Sequence, residues 1–125
     1  MAKDAYYFKH DANARNDPKI KSLINKYGLE GYGRFWVVIE MLREAERYKL
    51  ENKKYIWEAL AEQMKIEVKA ARQFIKDCTE EFELFAADDH CFYSVSLLKR
   101  MTELDEIREK RREAALKSWE NRDHD

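Results

Sequence analysis

Residues 10–20, HDANARNDPKI, gather a histidine, two aspartates, two asparagines and an arginine into one short run. A His10–Asp11 pair is the kind of group that binds a metal or activates water. Either chemistry needs more His or Asp ligands converging from elsewhere. The only other histidines are His90 and His124. No phosphate loop, no G-x-S-x-G and no Cys–His pairing of usable spacing occurs. The sequence therefore points to no catalytic residue, no metal site, no cofactor and no enzyme. The run reads instead as a lead-in to a helix. Asn16 or Asp17 caps the helix, and Pro18 loses nothing at its first position, where no hydrogen bond is required of it. Tyr6, Tyr7 and Phe8 are expected to dock on the core, extending a sheet, with His10 and Asp11 bonded to nearby backbone.

A second constellation has binding chemistry. Lys69, Arg72, Gln73 and Lys76 stand at i, i+3, i+4 and i+7, so a helix carries them on one face. All four are donors able to reach phosphates and base edges. Acidic residues border them at Glu67 and Asp77. Arg15 and Lys19 form a secondary pair beside a helix N-terminus, which itself attracts phosphate. The ordinary role of such a face is a solvated helix surface. Its weight as a nucleic-acid surface comes from the elements around it.

Those elements follow from periodicity. Ile20, Leu23, Ile24 and Tyr27 make one apolar stripe from Asp17, and Gly28 is a natural helix stop. A second helix, about 29–48, is apolar over a wide arc: Phe35, Trp36, Ile39, Met41, Leu42 and Ala45. Gly31 and Gly33 in its first turn would admit another backbone closely. KLENKK is a polar break. Helices at 55–64 (Ile56, Leu60 and Met64 inward) and about 67–81 follow, separated by a tight turn at KIEV. The latter buries Val68, Ala71, Phe74, Ile75 and Cys78. ELFAADDHCFYSV has two short apolar runs around Asp88-Asp89-His90, the pattern of a β-hairpin. A last helix, capped by Ser94 or Ser96, carries a stripe of Leu97, Leu98, Met101, Leu104 and Ile107. Beyond Ile107 charge dominates, and Trp119 lies off the stripe. The fold class is mainly α with a small β-hairpin. It is a winged helix–turn–helix with a long C-terminal helix, in which 67–81 is the helix that enters a major groove.

Bulk composition agrees. The chain has 125 residues, 45% hydrophobic and 39% charged, with one Pro and three Gly. That suits one domain of helices with solvated outer faces. Residues 1–16 form an extended lead-in, 17–107 the core and 108–125 a charged helical extension. A formal charge of −1 exerts no global pull on nucleic acid, so any such surface is local. No apolar run is long enough to span a membrane and no secretory signal is evident, so a cytoplasmic protein with reduced Cys78 and Cys91 is expected.

With these residues in place, a resemblance emerges. YYFKHDANARNDPKIKSLINKYGLEGYGRFWVVIEMLRE resembles the opening of the N-terminal domain of phage and prophage replication proteins of the DnaD-like, helicase-loader type. YGLEGYGRFW carries most of the likeness. DC-E--LF, FYS-SLL-RM and EKRREA extend it to about Ala115. The resemblance implies a DNA-binding or replisome-organising module, ordinarily followed by a second domain. Such domains commonly hold Gly in the turn between the paired helices and again before the wing. Here Lys65 and Glu83 stand there, where a left-handed backbone costs more.

Two functions follow as expectations. The first is double-stranded DNA binding through Lys69, Arg72, Gln73, Lys76, Arg15 and Lys19. The second is protein interaction without DNA contact, through a replisome partner or a homodimer built on the C-terminal helix. The acidic wing tip and Trp119 favour the second. No membrane partner is expected.

Overall fold

The computed structural model describes residues 14–123, with side chains through Glu120. A 3-10 turn, Ala14–Asn16, leads into helix α1, Pro18–Glu44. Asp17 is the cap, and Pro18 occupies the first turn. The Asp17 carboxylate accepts the Lys19 backbone N–H at 2.8 Å. The expected break at Gly28 is present as a kink rather than a gap. Gly28 alone departs from helical geometry (φ 73°, ψ -169°), and helix resumes at once on its far side. The two expected helices are thus one bent helix. It ends at Glu44, before the anticipated 48, because Ala45 turns to extended geometry (φ -75°, ψ 152°); Arg47 and Tyr48 then take positive φ in a second 3-10 turn, Glu46–Tyr48.

Strand β1, Leu50–Glu51, comes next, within the segment expected to be only a polar break. Helix α2, Lys54–Met64, and helix α3, Val68–Glu80, form the helix–turn–helix. Lys65 closes α2 in the left-handed region (φ 60°, ψ 41°), its N–H bonding back to Glu62. Glu83, before the wing, is also left-handed (φ 53°). Both positions where the resemblance led to an expectation of Gly therefore adopt left-handed geometry, and this chain meets it with ordinary side chains.

The wing is strand β2, Ala86–Ala87, and strand β3, Cys91–Tyr93. All pairing is antiparallel in the order β1-β3-β2, so the expected hairpin is the larger part of a three-stranded sheet. Leu50 faces Phe92 across the β1–β3 pair, and Ala87 faces Phe92 across the other. Asp88 makes the turn through its side chain. Its Oδ1 accepts the N–H groups of His90 at 2.7 Å and Cys91 at 2.8 Å. These backbone bonds hold its carboxyl below the usual range. Helix α4, Val95–Asp123, follows, with the Ser94 hydroxyl accepting the Leu97 N–H at 3.2 Å.

Leu23, Val38, Leu42, Leu60 and Phe74 sit at the centre of the core, drawn from α1, α2 and α3. Each such side chain removed from water contributes roughly 1.5–3 kcal/mol. A continuous row of rings, Trp57–Phe92–Phe85–Phe35–Trp36, ties α2 and the wing to α1. Successive centroids in that row are 6.0, 5.7, 5.6 and 5.3 Å apart. Two expected core positions are exposed: Val68 (37%), at the first turn of α3, and Ile107 (47%). On α4 the buried stripe ends at Met101, with Leu104 packed only partly. Residues 109–120 are exposed throughout.

Candidate nucleic-acid interface

The outer face of α3 is built by opposition. Ala71, Phe74, Ile75 and Cys78 turn inward, which forces Lys69, Arg72, Gln73 and Lys76 outward, and all four are exposed. Lys69 and Lys76 make no ion pair or side-chain hydrogen bond among the described residues. Arg72 places its guanidinium over the Trp57 ring of α2, 4.9 Å from the centroid. That is within cation–π range. Trp57 is itself held, its indole N–H donating to Asn52 Oδ1 at 2.8 Å.

Gln73 is more committed. Its Nε2 donates to Asp77 Oδ1 at 2.8 Å. Asp77, read from sequence as an exposed acid at the border of the cationic face, is 7% exposed and belongs to the packing between α3 and α1. Tyr27 donates its hydroxyl to the other carboxylate oxygen, and Lys26 Nζ stands 3.3 Å from it. Burial alone would raise the Asp77 pKa, but the bonds from Tyr27, Gln73 and Lys26 outweigh it and hold the carboxyl below its ordinary range. The same site pushes the Tyr27 hydroxyl pKa up, first by burial and then by its bond to Asp77. This network was not legible in advance. Its carboxylate lies on the flank of the apolar arc, and its partners Tyr27 and Lys26 are far off in the chain, on α1. The consequence for the outer face is that Asp77 spends its charge internally.

Arg15 and Lys19 are exposed but are not joined to this face by any contact among the described residues. Lys19 Nζ donates to the Glu83 carbonyl at 3.3 Å, beyond the C-terminal end of α3. Lys69 lies at the opposite end of that helix. The expected docking of Tyr6, Tyr7 and Phe8 and the bonding of His10 and Asp11 fall outside the described residues.

The wing tip is acidic as read: Asp88, Asp89 and His90 are all exposed. Beside it lies a recess of about 710 Å³ where Arg47, Lys49 and Lys53 alternate with Glu46, Glu51 and Asp89, so neither sign dominates. Among the described residues no three of His, Cys, Asp and Glu gather as metal ligands. Cys78 is buried, and burial pushes its thiol up; Cys91 is half-buried, and neither forms a disulfide. No described helix is long and apolar enough to cross a membrane.

The element order helix, strand, helix, helix, wing, helix makes this a mainly helical winged helix–turn–helix domain with a long C-terminal helix. The chain belongs to the Lin1244/Lin1753-like, N-terminal family, whose model matches residues 7–97. That match ends three residues into α4. No curated protein and no solved structure matches the chain.

Proposed function

We propose that this chain is a duplex-DNA-binding winged-helix module rather than an enzyme, and that it serves a phage or prophage replication protein of the DnaD-like type. The observation that carries the reading is the exposed row of Lys69, Arg72 and Lys76 on α3, the second helix of the helix–turn–helix. In this fold that helix is the one that enters the major groove. Asp77, the acid bordering this row, is turned inward and its charge is offset by Lys26 Nζ at 3.3 Å. Replication as the setting is supported by the sequence resemblance alone. The test is binding to duplex and to single-stranded DNA at low salt, by the parent and by a K69A/R72A/K76A variant. The parent is expected to prefer duplex, and the variant to lose at least tenfold in affinity. Affinity within twofold of the parent would refute the reading.

A second reading, protein interaction through α4, is favoured by Leu116 and Trp119, which are 56% and 65% exposed on the solvent-surrounded end of that helix. Sedimentation of the parent against a Leu116→Ser/Trp119→Ser variant tests it. Association lost in the variant supports it, and a strict monomer in both opposes it.

A further inference from the structure

We infer that Arg72 is the base-reading residue of the α3 surface, held ready by Trp57, and that its target is the O6/N7 edge of guanine in the major groove. The inference rests on the duplex-binding reading above. The other three side chains of this face each leave that role to Arg72. Lys69 and Lys76 stand one turn before and about one turn after it. Both are point charges on flexible stems, suited to phosphates and poor at fixing a base. Gln73 could pair with adenine through both ends of its amide. Its Nε2, however, is directed at Asp77 at 2.8 Å, and Asp77 is itself anchored by Tyr27 and Lys26.

Arg72 differs in kind. Its guanidinium lies over the Trp57 ring at 4.9 Å and meets no carboxylate among the described residues. A contact with a ring satisfies none of a guanidinium's N–H donors, so they are left for other acceptors. Those donors form the fork that matches two acceptors side by side, and guanine presents O6 and N7 in that way. The platform is rigid. Trp57 is buried, its indole N–H is bonded to Asn52 at 2.8 Å, and its ring stacks on Phe92 of the wing at 6.0 Å and 18°. A side chain already ordered in its binding posture loses less freedom on contact. Trp57 is thus a positioning residue and Arg72 the one that touches DNA.

Two duplexes of equal length separate this from binding through phosphates alone: alternating dA·dT and alternating dI·dC. Hypoxanthine keeps the O6 and N7 acceptors of guanine but lacks its minor-groove amino group, so a preference for it reports major-groove reading. The parent is expected to bind the dI·dC duplex about tenfold more tightly. Arg72→Lys keeps the charge and removes the fork, and should bring the ratio to within twofold of one. Trp57→Phe keeps a ring face and should retain most of the ratio, whereas Trp57→Leu should lose it. If Trp57→Leu does not fold, the Arg72→Lys and Trp57→Phe results decide. Equal binding of both duplexes by the parent, or a ratio unchanged in Arg72→Lys, overturns this inference while duplex binding stands. Absence of binding to either duplex removes both.

Discussion

Tyr27, the last residue before the kink in α1, donates its hydroxyl to the buried carboxylate of Asp77 on α3. One bond thereby joins the bend of the scaffold helix to the helix that carries the cationic face. Tyr27 also packs edge-on against Phe74, centroids 5.1 Å apart, so the contact is both polar and apolar.

Stability should fall at both ends of the pH range for this reason. Asp77 has a depressed pKa. Its contribution is full above the ordinary carboxylate pKa of about 4 and is lost as pH falls through the lower folded value. Tyr27 has a raised pKa. Its contribution is full below the ordinary phenol value of about 10 and is lost as pH rises beyond it. Tyr27→Phe is expected to cost about 1–2 kcal/mol at neutral pH. It should also flatten the alkaline decline. Urea unfolding at several pH values measures both effects; an alkaline slope unchanged in the variant would contradict the assignment.

The two glycines after the kink are not equivalent. A Cβ at Gly31 would clash with Tyr27 Cβ, an atom too close to the backbone to swing aside. One at Gly33 would meet nothing within 4 Å. Gly31→Ala should destabilise by about 1–3 kcal/mol through overpacking. Gly33→Ala should stabilise by about 0.5–1 kcal/mol by removing helix-interior glycine entropy. Denaturant midpoints of the two variants should move in opposite directions.

Lys65 turns the chain between α2 and α3 at φ 60°. A left-handed backbone costs an ordinary residue roughly 1–2 kcal/mol, partly offset for Gly by the freedom it loses on folding. Lys65→Gly is expected to raise stability by about 0.5–1 kcal/mol, and Lys65→Val to lower it by about 1 kcal/mol or more. Thermal unfolding of the pair checks this, and a fall in Tm for the Gly variant would contradict it.

Long apolar periods made the helices and most of the core legible from sequence. Leu23, Leu42, Leu60 and Phe74 repeat on faces that have only one way to be buried. Short or tertiary features were not legible. β1 is two residues long, and one of them, Leu50, is buried and pairs with Phe92 of the wing. Val68 and Ile107 fit the helical period, but Val68 stands in the first turn of α3 and Ile107 lies beyond the last buried residue of α4, Met101, and both are exposed. Gly33 shares a motif with Gly31 yet faces open space. On the candidate site, exposure of Lys69, Arg72, Gln73 and Lys76 followed from the apolar face opposite. Arg72 on Trp57, Lys26 and Tyr27 on Asp77, and Lys19 on Glu83 are contacts between elements, and no local spacing encodes them.

If Lys69 and Lys76 meet the phosphates of a duplex while Arg72 enters its groove, binding must weaken with salt. The most direct test is therefore the salt dependence of binding to a mixed-sequence duplex of about 20 base pairs. Two phosphate contacts displacing counterions give a log–log slope of about −2. The K69A/R72A/K76A variant should approach zero slope as its binding disappears. A parent whose binding is insensitive to salt, or a variant that keeps the parent's slope, would contradict the claim.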